Sequence, residues 1–124
     1  MDLSSNELAG IVPTEVGTLS SSLTGFLSLD GNRLTGPLPS ELGRLTGLKE
    51  YLGLEKNALT GSIPTTVGRL MKLASLALGE NSFSGEVPSQ LGKLVKLTGG
   101  INLASNLVRW RGNLTCGGRE AVPD

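Results

Sequence analysis

A repeat of about 25 residues constrains this chain more than any other feature of its sequence. Five asparagines recur at separations of 26, 25, 24 and 25 residues, at Asn6, Asn32, Asn57, Asn81 and Asn106. The apolar residues around them fit neither the stripe of an amphipathic helix nor a simple alternating strand. A period of this length predicts a solenoid, in which each coil buries its apolar residues against the coils on either side.

Other positions keep phase with the asparagine through the first four repeats. An apolar residue follows it by two positions, a glycine by four, a proline by seven, a glycine by eleven and a leucine by thirteen; after Asn32 these are Leu34, Gly36, Pro39, Gly43 and Leu45. We expect the inward leucines to form one aliphatic core. The asparagine amide would pair backbone groups that cost about 1–3 kcal/mol each if buried unpaired.

The segments from Asn32 to Leu45 and from Asn57 to Leu70 resemble the plant-type leucine-rich repeat, Asn-x-Leu-Thr-Gly-x-Leu/Ile-Pro-x-x-x-Gly-x-Leu. The resemblance covers residues 1 to about 108. It implies an α/β solenoid: a right-handed superhelix with a parallel concave β-sheet, a second short strand around the Gly-x-Ile-Pro segment, and 3-10 or short helical turns on the convex side. Family members are mostly ectodomains of receptor kinases, receptor-like proteins and secreted inhibitors of microbial polygalacturonases.

We expect residues 1–108 to form about five repeats, the first incomplete, and residues 109–124 to form a degenerate carboxyl-terminal cap. Met1 stands in the place of an inward leucine, so we expect an open apolar amino-terminal end, a fragment of a longer parent, and self-association through that end. The sequence has no recognisable signal peptide, and no apolar stretch approaches the roughly 18 residues of a membrane helix.

The carboxyl-terminal segment departs from the repeat. We expect Trp110 to cover the core of the last coil, with contact to a partner as the alternative. In the family that this segment resembles, the cap cysteine pairs with a second one, whereas Cys116 is the only cysteine here and is predicted to be unpaired. Asn113 begins an Asn-Leu-Thr triplet, which is a glycosylation acceptor if the chain is secreted.

The outward residues of the predicted strands form the candidate binding surface. They alternate with the inward leucines and would face the concave side, which solenoids use for binding. The candidate ligand-binding residues are Phe26, Ser28, Asp30, Tyr51, Glu55, Lys56, Ala77, Glu80 and Asn102. The alternative is a solvated face without a dedicated ligand.

Variation in repeat length is confined to the segment that leads into each strand. Extra residues occur near Gly25-Phe26, Glu50-Tyr51 and Gly99-Gly100. They could form an outward loop bulge, since surface loops tolerate insertions. Alternatively, they could place Phe26 and Tyr51 on the concave rim, where two adjacent aromatics would anchor a partner.

Charge and composition exclude several classes of function. Eleven basic residues balance eleven acidic ones, which gives no general attraction to nucleic acid or to an anionic membrane surface. The chain has no histidine, which excludes a catalytic histidine and a histidine metal site, and we expect no cofactor. The recurring basic residues Arg44, Arg69 and Lys93 are expected at the ends of convex helical turns, where they interact favourably with the helix dipole.

These observations predict a non-enzymatic module that recognises a protein or peptide, cell-wall-related ligands included. The resemblance implies an extracellular or cell-surface parent, receptor-like or secreted, in signalling or defence; any kinase domain would lie outside this chain. The alternative is a structural or ice-binding solenoid. Against it, only Thr35 and Thr60 repeat on the outward side, whereas Ala9 and Ser84 stand at the matching positions.

Overall fold

The computed structural model describes residues 1–112, 115–116 and 119–120, the last two pairs by their backbone only. Within them the chain forms a solenoid whose coils each contribute to two parallel sheets and, in the first four coils, a 3-10 helix. The expectations for glycosylation at Asn113 and for the thiol of Cys116 lie outside the described residues and side chains.

The strands and helices have the following bounds. The concave sheet contains β2 (Leu27–Ser28), β4 (Tyr51–Gly53), β6 (Ser75–Ala77) and β8 (Gly100–Asn102). The outer sheet contains β1 (Ala9–Ile11), β3 (Arg33–Gly36), β5 (Ala58–Gly61), β7 (Ser82–Glu86) and β9 (Leu107–Arg109). The 3-10 helices span Thr14–Ser21, Ser40–Arg44, Thr65–Arg69 and Ser89–Lys93. An antiparallel pair, β10 (Thr115–Cys116) and β11 (Arg119–Glu120), follows.

The concave sheet keeps equivalent residues of successive coils opposite one another. Its strands are ordered β2-β4-β6-β8, all parallel, and the register pairs Leu27 with Leu52, Leu52 with Leu76, and Leu76 with Ile101. These leucines are buried, which leaves the alternate residues on the concave side. The predicted α/β solenoid with a parallel sheet and convex 3-10 helices is confirmed.

The outer sheet differs from the concave one in register. It is ordered β1-β3-β5-β7-β9 and is parallel. Thr35 pairs with Ala58, and Thr60 pairs with Ser82, so equivalent residues of neighbouring coils are offset by two positions. Matching sequence positions therefore stand side by side in the concave sheet but not in the outer one.

A single aliphatic core runs through all the coils. Leu42, Leu45 and Leu48 of one coil, like Leu70 and Leu73 of a later one, have no exposed surface. The apolar spine is continuous from Val12 to Leu103. No buried polar side-chain atom within the described part of the chain lacks a hydrogen-bond partner.

The repeated asparagines line up in one file beside the core. The Asn57 amide nitrogen donates to the carbonyl oxygens of Leu54 and Glu55 at 3.2 and 3.1 Å, and to that of Leu29 in the preceding coil at 3.0 Å. Its Oδ1 accepts the amide of Leu34, also in the preceding coil, at 3.0 Å. One side chain therefore joins two coils through four hydrogen bonds.

The same bonds recur along the file. Asn32, Asn81 and Asn106 each accept one amide and reach one carbonyl of the preceding coil. Asn6 differs, because its amide donates only to the carbonyls of Leu3 and Ser4 in its own coil. Asn6 therefore makes bonds only within its own coil, whereas the other four asparagines also make bonds between coils.

On the convex side, a proline precedes each 3-10 helix, and a basic residue lies in the last turn of three of the four helices. The 3-10 helices begin directly after a proline, at Pro39 for example, whose fixed φ of −74° and missing amide suit a helix start. Arg44, Arg69 and Lys93 lie in the last turn of their helices, as expected. The basic residues of this column therefore lie on the convex side, remote from the concave sheet.

The two ends of the solenoid differ. An apolar cavity of about 390 Å³, lined by Met1, Leu3, Leu8 and Ile11 among others, opens at the amino-terminal end. At the carboxyl-terminal end Trp110 is half-buried and packs against the core, and it also lines a cavity of about 480 Å³ beside Arg111. Among the described residues, no helix is long and apolar enough to cross a membrane.

Candidate recognition surface on the concave sheet

Two columns of outward residues run across the concave sheet. The register sets Asp2, Ser28, Gly53, Ala77 and Asn102 side by side. Backbone bonds that follow the strands bring Ser4, Asp30, Glu55, Gly79 and Ala104 into a second column. Ser28 and Ala77 are only 7% and 5% exposed, so these two candidates offer little contact area.

The chain turns out of the sheet at a third column, which includes the candidates Lys56 and Glu80. The residue before each asparagine has a positive φ, between 51° and 63°, at Ser5, Gly31, Lys56, Glu80 and Ser105. The Lys56 Nζ lies 3.9 Å from a Glu80 carboxylate oxygen, and both side chains are exposed. This pair belongs to the edge of the sheet and is worth little in solvent.

Tyr51 lies across the concave face. It precedes the buried Leu52 in β4, so its ring points to the opposite side, and its hydroxyl donates to Asp30 Oδ2 at 2.9 Å. The ring passes over Gly53, where a Cβ atom would collide with both the ring and the Asp30 carboxylate. A glycine at position 53 is what allows Tyr51 to reach Asp30.

Phe26 directly precedes β2, at the position equivalent to that of Tyr51 at the start of β4. It precedes the buried Leu27, which pairs with Leu52, so Phe26 and Tyr51 are neighbours on the concave rim. Phe26 is half-buried and lies outside the core cluster. The amides of Lys49 and Glu50 both donate to the Gly25 carbonyl at 3.1 Å, so the extra residue forms a bulge where the strand begins.

Asp30 is the centre of a hydrogen-bond network on this face. Its carboxylate accepts the Ser28 hydroxyl at 2.7 Å, the Tyr51 hydroxyl at 2.9 Å and the Glu55 amide at 2.8 Å. All three donors are neutral. The bonds therefore fix the orientation of the carboxylate without neutralising its charge.

The environment of Tyr51 raises the pKa of its phenol well above the usual value. Burial of the ring is the largest cause, followed by the hydrogen bond to Asp30 and by the negative charges of Asp30 and Glu55. A raised pKa means that folding favours the protonated phenol, so this contribution to stability is present below about pH 10 and is lost as the pH rises further. Tyr51 remains a hydrogen-bond donor at neutral pH.

Glu55 and Asn102 form a second bridge across the face. The Asn102 amide nitrogen donates to Glu55 Oε1, two strands away. The bridge crosses Gly79, where a Cβ atom would lie 2.9 Å from that nitrogen. The Ala104 amide donates to Asn102 Oδ1 at 2.9 Å, which fixes the side chain from the other side.

The concave face is better suited to binding a partner than to catalysing a reaction. The described residues contain no group of acidic residues, histidine or cysteine that could hold a metal ion. The face instead combines two aromatic rings, two oriented carboxylates and a floor of small residues. The candidates were predicted from the sequence but their pairing was not, although Gly53 and Gly79 in the outward columns were a signal for it.

Comparison with known proteins agrees with this architecture. The Leucine Rich Repeat family model matches residues 26–45. Over 49 residues, 40% of this chain, the sequence is 45% identical to the receptor kinase-like protein Xa21 of Oryza sativa subsp. japonica and 53% identical to the LRR receptor-like serine/threonine-protein kinase GSO2 of Arabidopsis thaliana. The matched segment spans only 5% and 4% of those two proteins.

Three solved structures are also similar. The LRR ectodomain of the receptor kinase GASSHO1/SCHENGEN3 from Arabidopsis thaliana, in complex with CASPARIAN STRIP INTEGRITY FACTOR 2, gives a TM-score of 0.78 at 39% identity, over 86% of this chain and 12% of that one. The plant peptide hormone receptor RGFR1 in complex with RGF2 gives 0.66 at 32%, over 87% and 21%. A plant ice-binding protein gives 0.71 at 29%, over 86% and 41%.

Proposed function

We propose, on the premise that this chain belongs to the plant-type leucine-rich repeat family, that it is a recognition module of a receptor-like protein and binds a peptide or protein through its concave sheet. The relatives are named as a receptor kinase-like protein and a receptor-like kinase, and two of the similar structures were solved in complex with another molecule. The leucine-rich repeats are the non-catalytic part of such proteins. A kinase domain, where a parent has one, would lie outside this chain.

The observation that carries the proposal is the set of side chains fixed on the concave face. Tyr51 is held on Asp30, and Glu55 is held by Asn102, before any ligand arrives. Side chains that are already ordered lose less conformational entropy on binding. Large aromatics such as Phe26 and Tyr51 are the residue type that most often dominates binding energy.

The proposal extends to cellular context. We place the module on the cell surface or outside the cell, in signalling or defence, with cell-wall-related ligands among the candidates. Glycosylation at Asn113 would accompany that location, because the acceptor triplet is modified only in secreted proteins. Support for this part comes from the named relatives alone.

Removing the aromatic pair tests the proposal. We expect the Phe26→Ala/Tyr51→Ala variant to lose at least about tenfold in ligand capture from plant extracellular fluid, since truncating two large aromatic anchors costs more than about 1.4 kcal/mol. The measurement is capture on immobilised chain, quantified by mass spectrometry. The matched control is Met71→Ala/Val95→Ala, which removes apolar side chains that are 55% and 63% exposed after the convex helices. Equal capture by both variants would remove the concave site from the proposal.

Ice binding is the weaker alternative. A regular ladder of threonines on a flat sheet would favour it. In the outer sheet Thr35 faces Ala58 and Thr60 faces Ser82, so no two threonines are opposite one another among these strands. The likeness to an ice-binding protein therefore rests on the coil and not on this surface, and absence of ice-recrystallisation inhibition is the expected result.

We also propose that the apolar amino-terminal end mediates self-association. Ile11, Met1 and Leu8 are 65%, 42% and 39% exposed around the cavity there. We expect the sedimentation coefficient to rise with protein concentration. Ile11→Glu should weaken the association at least about tenfold, because an unpaired carboxylate is costly to bury in an apolar interface. Val95→Glu is the control, with 63% exposure in a different region. A concentration-independent monomer would overturn this part.

A further inference from the structure

We infer that the concave site takes an extended peptide segment carrying an arginine, whose guanidinium lies against the Phe26 and Tyr51 rings and pairs with the Asp30 and Glu55 carboxylates. This inference rests on the proposed function and names the chemistry of its ligand. It is carried by three features of the same sheet face: the aromatic pair, the direction of the oriented carboxylates, and the distribution of charge around the solenoid.

The charges are divided between the faces of the solenoid. The chain as a whole has a formal net charge of zero. Asp2, Asp30 and Glu55 stand on the concave sheet, and neither of the two ion pairs in the described part of the chain involves them. The third-column Lys56 already lies beside Glu80. The concave face is therefore negative although the molecule is neutral, which favours a cationic partner.

Five further basic residues lie away from this face. Arg44, Arg69 and Lys93 end the convex helices, whereas Arg33 and Arg109 belong to the outer sheet. The amino-terminal ammonium does lie at this edge, where it donates to the Phe26 carbonyl at 2.7 Å, but within the described residues no cation makes an ion pair with Asp30 or Glu55. A cationic group of a ligand would be the first charged partner of these two carboxylates.

The carboxylates are positioned but not neutralised. Asp30 receives three hydrogen bonds, all from neutral donors, and Glu55 receives the Asn102 amide. Hydrogen bonds from the Ser4 hydroxyl and amide lower the pKa of Asp2, which keeps that third carboxylate charged. A carboxylate oxygen has about two acceptor positions, so Asp30 and Glu55 both retain capacity for a charged donor.

Aromatic rings next to carboxylates favour arginine over lysine. A guanidinium is planar, so it can stack on the face of a ring and still donate in its own plane to a carboxylate. Phe26 directly precedes β2 and Tyr51 begins the neighbouring β4, and the Tyr51 hydroxyl donates to Asp30, so the Tyr51 ring and the carboxylate are contiguous. An ammonium group is a point charge and would satisfy only part of this arrangement.

The small residues of the face let larger side chains lie flat across it. Gly53 and Gly79 are covered by the Tyr51 ring and by the Glu55–Asn102 bridge, and Ser28 and Ala77 are nearly buried. An extended peptide would lie on this layer of side chains, with its successive side chains alternately towards and away from the sheet. Large groups are concentrated at the rim, at Phe26 and Tyr51, which is where we place the arginine.

A pair of isosteric peptides tests the inference. The probes are a blocked heptapeptide, Gly-Ser-Arg-Gly-Arg-Ser-Gly, and the same peptide with citrulline in place of both arginines, measured by isothermal titration calorimetry at low ionic strength. We expect the arginine peptide to bind at least about tenfold more tightly, because citrulline keeps the shape and loses the charge. Asp30→Asn/Glu55→Gln should reduce arginine-peptide affinity at least about tenfold, whereas the control Glu15→Gln/Glu41→Gln, on the convex helices, should not.

The outcomes distinguish a failure of the arginine inference from a failure of the proposed function. Equal affinity for the two peptides, or no binding of either, would overturn the arginine inference. If capture from extracellular fluid still depends on Phe26 and Tyr51, the recognition function stands with a different ligand chemistry. If capture is indifferent to both residues, the proposed function itself fails.

Discussion

Replacing Asn57 with alanine is expected to lower the free energy of unfolding by about 3 kcal/mol. The substitution removes four hydrogen bonds and leaves the Leu34 amide of the preceding coil without its partner, whereas the Leu29 carbonyl keeps the bond from Asn32. Each buried group that loses its partner costs about 1–3 kcal/mol, and water can reach only part of this site. Urea denaturation followed by circular dichroism measures the loss.

Asn6→Ala is the matched control for this prediction. Asn6 makes two hydrogen bonds, both to its own coil, and it is exposed. We expect its removal to cost less than about 1 kcal/mol. If Asn6→Ala and Asn57→Ala destabilised the chain equally, the bonds between coils would contribute nothing beyond those within a coil.

Gly68→Ala is expected to cost about 2–3 kcal/mol of stability through overpacking. Gly68 lies in the helix Thr65–Arg69, against the next convex helix, and a Cβ there would lie 2.8 Å from the Gln90 carbonyl carbon and closer still to its oxygen. Backbone atoms cannot move aside as a flexible side chain can, so neighbouring coils would have to separate. Thermal and urea unfolding of the variant measure the effect.

Gly25→Ala provides the comparison for Gly68→Ala. The nearest atom to a Cβ at position 25 is Glu50 Oε1 at 3.5 Å, the end of a flexible side chain. We expect a change within about 0.5 kcal/mol. A large loss at Gly25 together with a small one at Gly68 would contradict the close packing of the convex helices.

The periodic part of the structure could be predicted from the sequence because every coil contains the same pattern of residues. The leucine spacing predicted the core, and the basic residues Arg44 and Arg69 were predicted at the ends of convex helical turns, where the structure has them. Each of these features is decided within one repeat or between identical neighbours. Because the pattern occurs four times, it determines which residue takes each position of the coil.

The features that sequence did not reveal depend on how coils meet. The offset of the outer sheet, which brings Thr35 opposite Ala58, follows from packing between coils and leaves no mark in any single repeat. The left-handed backbone at Lys56 and Glu80 was equally hidden, because only Gly31 in that column is a residue that favours it.

The candidate site was predicted as a set of columns and not as a network. The structure joins Tyr51 to Asp30 and Asn102 to Glu55, contacts that span 21 and 47 residues of sequence. They exist because glycine replaces a side chain at Gly53 and Gly79, so larger neighbours can lie flat. Such contacts follow from the shape of the face, which the pattern of residue types does not specify.

Site-specific photo-cross-linking tests the central claim most directly, namely that the concave sheet is the recognition surface. Phe26→p-benzoylphenylalanine keeps an aromatic ring on the concave rim, and Met71→p-benzoylphenylalanine places the same group at a site that is 55% exposed after a convex helix. After capture from extracellular fluid and irradiation, we predict a cross-linked ligand from position 26 and none from position 71. Cross-linking from position 71 alone, or equally from both, would contradict the account.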